Sequence, residues 1–294
     1  MQQFVNVTLS GLVAGVIYAA FALALVLIWR STRIVNFAQG SMAAATSFIA
    51  LALIQAGQSY WVALLVSLAA GFVLGAVVER VIIRPVEGGP ELNAVIVTLG
   101  LFVAIQALIA IVAGSEFQSF PAPFGLRGFT LGGTTIALTP NSLYVLGAVL
   151  VTMVALVALF RYTRVGLAMR ASAFGQEVAR LLGVRVGRML TLGWALAAVV
   201  GSLSGLLIAG GGLVYPAYMD SLIVFGFVAA VLGGLDSPIG AIVGGLLLGL
   251  ALAYVSGYIT RGSGLVNLAA LVILMVVLLV RPGGLFSSTT ARRA

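Results

Sequence analysis

Hydrophobic residues run through this chain in long unbroken blocks, and polar residues collect in short interruptions between them. A block of about 20 uncharged apolar residues, wound as an α-helix, reaches across the roughly 30 Å hydrocarbon core of a bilayer. The pattern predicts helices over Leu9–Trp29, Ile34–Ala56, Tyr60–Val78, Ala94–Val112, Leu143–Phe160, Leu190–Ala209, Leu222–Leu235, Ile239–Tyr258 and Leu265–Val280. The expected architecture is an all-α integral membrane protein, a polytopic bundle of about 8–10 transmembrane helices forming one domain over residues 1–294. The first block is longer than a signal-peptide core and has no basic residue before it, so it is read as a retained span. The block Leu222–Leu235 is short and is read as a short or thinly embedded crossing. In the turn that follows, Asp236 or Ser237 suits a helix N-cap and Pro238 suits the first helical turn.

Composition narrows the chemistry. Apolar residues make up 62% of the chain, charged residues 7%, and the mean hydropathy is +1.22. Cys and His are absent, and all fifteen basic residues are Arg. Thiolate and imidazole chemistry are therefore missing, which leaves only a carboxylate-only metal site open. Without Lys no Walker A phosphate loop is possible, so the chain is read as a non-enzyme without its own ATPase site. ATP and Mg, where they drive it, belong to partner subunits.

The arginines orient the spans, because basic residues in short loops stay on the cytoplasmic side. With the N-terminus outside and the C-terminus cytoplasmic, thirteen of the fifteen fall inside, leaving only Arg127 and Arg261 outside. Six of them lie in the central loop, residues 161–188, beside one acid, Glu177. Residues 167–182 show helical patterning, with Leu167, Phe174, Val178 and Leu181 on one side and Gln176 and Arg180 on the other. Gly166, Gly175 and Gly183 divide this region into one or two short helices. Such a helix either lies on lipid headgroups or docks a cytosolic partner; composition does not separate the two.

The long outward connection, residues 114–139, reads as containing a small hairpin around Gly132 and Gly133. It serves either as a docking surface for an external protein or as a lid over helix ends. Glycines four residues apart (Gly11 and Gly15, Gly71 and Gly75, Gly201 and Gly205, Gly240 and Gly244, Gly245 and Gly249) predict close helix packing, while Gly233 and Gly234 look like a helix break. Candidate residues for a solute path are Asn36, Gln39, Thr98, Ser202 and Ser204, although residues of these types within spans more often make helix-to-helix hydrogen bonds. All seven acids fall at span ends or in loops, which weighs against a proton-coupled carrier, while sodium coupling through backbone carbonyls stays open.

The order of residues supplies a resemblance. The stretch GLAMRASAFGQEVARLLGV resembles the cytoplasmic coupling loop of the branched-chain amino acid (LivH/LivM-type) permeases of ABC importers. The blocks YAAFALALVLIWRSTRIVNFAQGSMA, RPVEGGPELNAVIVTLGL and GGLDSPIGAIVGGLLLGL are similar to the same family, in its order, and the NFAQG block is closer to the LivH type. The resemblance implies a permease subunit in the inner membrane that moves branched-chain amino acids or a related small polar solute. Its implied partners are a second homologous permease, two cytosolic ATP-binding subunits, an external solute-binding protein and membrane lipid, with no nucleic acid. It also implies that Phe174, Val178 and Leu181 anchor the loop in an ATPase cleft, with Arg170, Glu177 and Arg180 as polar contacts and Gly175 and Gly183 as its turns. Ser172-Ala173-Phe174-Gly175 departs from the wider importer signature, which opens on an acid. The alternative reading is an ion-coupled secondary carrier.

Overall fold

The computed structural model describes residues 1–86, 88–131, 134–259 and 262–286. Within them the chain forms α1 (Gln2–Thr32), α2 (Gln39–Gln55), α3 (Tyr60–Val77) prolonged by a π-helical turn Val78–Ile83, α4 (Glu91–Ala113) and α5 (Pro140–Tyr162). Two short helices follow, α6 (Arg164–Phe174) and α7 (Gln176–Leu181), and then α8 (Val186–Ala209), α9 (Asp220–Gly233), α10 (Pro238–Tyr258) and α11 (Gly262–Val280). Each apolar block of the sequence corresponds to one helix. Among the described residues six helices are long and apolar enough to cross a membrane, and α2, α9 and the last helix, α11, are shorter.

Small residues bring the central helices together. α1 packs most extensively against α10 and also against α8 and α9. A Cβ placed on Gly249 of α10 would lie 2.2 Å from the Cα of Gly15 in α1, so the two backbones touch where their glycines meet. Gly71 and Gly75 of α3 seat against Ser202, Ala198 and Trp194 of α8 in the same way. Without a hydrophobic gradient between helix and lipid, such close approach supplies dispersion contact that larger residues would prevent. The expected glycine pairs therefore do internal packing.

Gly233 and Gly234 divide two roles that the sequence had merged. Gly234 has φ 102° and ends α9, a backbone region that favours glycine. Gly233 is instead a packing residue, since a Cβ there would fall 2.0 Å from the carbonyl oxygen of Gly240. The chain beyond α11 returns to this point: the amides of Leu285 and Phe286 donate to the carbonyls of Leu232 and Gly233 at 2.9 and 3.1 Å. Those bonds satisfy carbonyls that the end of α9 leaves without helical partners. Ser237 is the N-cap of α10, accepting from the amide of Gly240 at 3.0 Å, with Pro238 in the first turn.

The loops gather into two ends. At one end Arg33 pairs with Asp236, and Arg84 reaches the carbonyl of Gly187. At the other, β1 (Gln118–Ser119) pairs antiparallel with β4 (Leu213–Val214), tying the long connection to the α8–α9 loop. The expected hairpin forms between β2 (Thr130–Leu131) and β3 (Thr134–Thr135), while its glycines Gly132 and Gly133 lie outside the described residues. Among the described arginines, Arg127 alone sits at this second end. Arg261, Arg292 and Arg293, which entered the orientation argument, lie outside the described residues.

Candidate functional site

The first candidate site is the helical elbow α6–α7 at the arginine-rich end. Thr163 starts α6 by accepting from the amide of Gly166 at 3.0 Å while its own hydroxyl donates to the carbonyl of Leu159 at 2.6 Å. Gly166 then lies against the end of α5 so closely that a Cβ would come within 2.2 Å of the Leu159 carbonyl. The sequence thus folds α6 back onto α5 with a tight, side-chain-free contact. Gly175, in an extended conformation, separates α6 from α7, so the region forms two short helices, as its glycines predict. Gly183, with φ 82°, stops α7, and the amide of Val184 donates to the carbonyl of Ala179.

This elbow presents an apolar face to the outside. Phe174 is 98% exposed and Leu181 88%, and Val178, Leu167 and Leu182 are exposed beside them. On the opposite side Met169 and Ser172 of α6 and Ala179 of α7 are buried, with Ala179 packed on Val186 and Leu190 of α8. Leu167, Arg170, Phe174, Val178 and Leu182 line a groove of about 390 Å³ between the two helices. Arg170, Glu177 and Arg180 are exposed around it. A contiguous apolar face rimmed by charge is the anatomy of a docking surface.

The second candidate lies inside the bundle. Arg33 has φ 59° and closes α1, and residues 34–38 then run without helix into the protein before α2 begins at Gln39. Asn36 is therefore in a broken segment and not within a helix that starts at Ile34. Gln39 is not near the end of the bundle either: its amide donates to the carbonyl of Ala197 at 2.9 Å, about 16 Å along α8 from Val186. Asn36 donates to the side-chain oxygen of Gln39 at 3.0 Å and accepts from the amide of Ala38 at 3.0 Å. Thr98 of α4 donates toward the carbonyls of Val35 and Val95. Asn36, Gln39 and Thr98 thus meet around one break, each closed in by protein.

Ser202 and Ser204 do not join them. Ser202 turns to Gly71 of α3, and Ser204 donates to the carbonyl of Val200 within its own helix. Beside the break, α9 also begins within the bundle, where Met219 and Ile223 lie against Gly40. Tyr218 donates to the hydroxyl of Ser47 at 2.7 Å, and Gln106 donates to Asp220 at 2.7 Å. These partners were not singled out from the sequence, since the residues of each pair are far apart along the chain. Glu79 was placed at a span end, but it is fully buried and held by Arg84 and Thr191.

Together the fold and the two sites define a polytopic helical membrane protein with an exposed apolar elbow at one end and helices broken in its interior. The architecture is similar to that of PsaBC from Streptococcus pneumoniae in complex with Fab, with TM-score 0.53 at 14% identity over 96% of this chain and 93% of that one. Residues 7–281 match the family model described as the branched-chain amino acid transport system / permease component, and the chain belongs to that family. It is 31% identical to the high-affinity branched-chain amino acid transport system permease protein LivH of Escherichia coli (strain K12), over 96% of this chain and 95% of the relative. It is 30% identical to the corresponding protein BraD of Pseudomonas aeruginosa, over 97% and 95%. This membership disfavours the ion-coupled carrier.

Proposed function

We propose that the chain is the LivH-type permease subunit of an ATP-driven importer of branched-chain amino acids or a related small polar solute. The observation that carries this reading is the exposed apolar elbow of Phe174, Val178 and Leu181, fixed to the ends of α5 and α8. In the assembly the elbow sits in a cleft of one of two cytosolic ATP-binding subunits, which hold ATP and Mg and do the hydrolysis. A second homologous permease and an external solute-binding protein complete the complex, with β1–β4 and the β2–β3 hairpin at the receiving end. The arginine-rich end faces the cytoplasm, since positively charged short loops are retained there.

Coupling follows from shared helices. α8 begins beside the elbow and, further along, accepts the hydrogen bond of Gln39. A push on α6–α7 is thus delivered to the helix that holds the broken segment at Asn36 and Gln39 closed, and rocking of α8 exchanges two arrangements of that break. The closed cluster of Asn36, Gln39 and Thr98 is the gate of the path, with Ser202 and Ser204 on the moving helix. The test is uptake of radiolabelled leucine into vesicles holding the full complex. Uptake that survives collapse of ion gradients and stops without internal ATP supports the proposal; uptake that follows the gradients overturns it.

A further inference from the structure

At the arginine-rich end, α1, α5, α6, α8 and α10 enclose a cavity of about 340 Å³ distinct from the elbow groove. Its inner wall is buried and apolar, formed by Leu23, Leu27, Leu156 and Leu190. Toward the outside, Val157 and Ile239 are exposed. The charged residues lining it are Arg30, Arg161 and Arg170, and among the described residues none of the three has a carboxylate partner. Arg161 and Arg170 are exposed and Arg30 half-buried, so the charge lies at the open end. From Arg30 to Leu23 is seven residues of α1, about 10 Å along the helix axis.

We infer that this cavity binds one anionic phospholipid of the adjoining leaflet, with its phosphate diester held by the three guanidinium groups and the first part of an acyl chain laid between α1 and α5. The chemistry selects this occupant over others. A zwitterionic amino acid would bring an ammonium group to a cavity that has no carboxylate to receive it. Free phosphate would satisfy the arginines but leave the apolar wall unfilled, and an apolar helix from a second copy would fill the wall while leaving three like charges facing one another. A phospholipid meets both ends: guanidinium forks match phosphate oxygens, and the chain continues the hydrocarbon. Because Met169, Ser172 and Ala173 of α6 also line the cavity, the lipid braces the inner side of the elbow against α1 and α10. The inference rests on the cavity, and its test is run on the assembly proposed above.

The test counts lipids carried by the intact complex in native mass spectrometry, after exchange into nanodiscs of phosphatidylglycerol and phosphatidylcholine. Phosphatidylglycerol should be retained at about one molecule per copy, in preference to phosphatidylcholine. Arg30→Gln with Arg161→Gln should lower that retention on the order of tenfold. Arg30→Lys with Arg161→Lys should keep most of it, which separates lost charge from lost folding. Val157→Trp should expel the lipid with every arginine in place. Equal retention of the two lipids, full retention by the Gln double variant, or displacement of phosphatidylglycerol by millimolar inorganic phosphate overturns the inference. So does a Val157→Cys variant that crosslinks to the second permease while no lipid is retained; the chain's lack of Cys makes that probe specific.

Discussion

The guanidinium of Arg84 holds both carboxylate oxygens of Glu79, with one nitrogen 3.0 Å from each. The two residues are five apart, and the amide of Arg84 donates to the carbonyl of Glu79 at 2.7 Å, the i to i+5 bond of a π-turn. Thr191 donates to the same carboxylate at 2.7 Å, and Arg84 also reaches the carbonyl of Gly187 at 2.7 Å. The end of α3 is thereby locked to the first turns of α8, the helix that also packs on α7. The side chain of Glu79 is 1% exposed and that of Arg84 36%, so the partners are unequal.

That inequality sets the first prediction. Arg84→Met leaves a buried carboxylate without its cation and should destabilise the protein by about 3 kcal/mol or more. Glu79→Gln should cost less, because the amide still accepts from Thr191 and the guanidinium left behind reaches solvent. Thermal unfolding of the purified protein, followed by fluorescence-detected size exclusion, should rank wild type above Glu79→Gln above Arg84→Met.

Close packing of α1 on α10 gives the second. Gly249→Ala forces a methyl group into the backbone of Gly15 and should cost roughly 1–3 kcal/mol. Gly100→Ala, where a Cβ meets open space, should be neutral or stabilising by up to about 1 kcal/mol. Similar losses at both positions in the same unfolding assay would mean that helix propensity, not packing, governs these glycines.

At the elbow, Phe174→Asp or Val178→Asp places a charge on the apolar face without touching the spans. Copurification of the ATP-binding subunits should fall at least about tenfold while membrane insertion is unchanged. Arg127→Ala, at the opposite end, should leave copurification at the wild-type level. Pull-down from detergent-solubilised membranes reads both.

For the interior break, Gln39→Leu removes the bond to Ala197 and leaves the Asn36 amide only the weak acceptor Met42 Sδ at 3.6 Å. Solute uptake should drop by an order of magnitude or so while the ATP-binding subunits still copurify, because losing the bond that ties the break to α8 shifts the balance between closed and open arrangements. Normal uptake would remove Gln39 from the gate.

Ser237→Ala deletes the N-cap of α10 and should lower stability by about 1 kcal/mol, with Ser237→Thr largely restoring it. Melting temperatures of the three proteins provide the comparison.

The sequence by itself determined the class, the helices and which apolar residues of the central loop stand exposed. A run of 20 apolar residues has one stable outcome in a bilayer, and the spacing of Phe174, Val178 and Leu181 is local, so both were readable one segment at a time. The cap at Ser237 and the packing glycines were legible for the same reason. Tertiary structure decided what depends on distant segments. Under the α-helical period Glu79 and Arg84 project about 140° apart, and only the π-turn brings them to one side. That Asn36 and Gln39 sit deep beside α8, whereas Ser202 and Ser204 point elsewhere, follows from where α2 begins relative to Ala197. A hydropathy pattern records how apolar a segment is, and it carries no information on depth or facing, which are set by the contacts between helices.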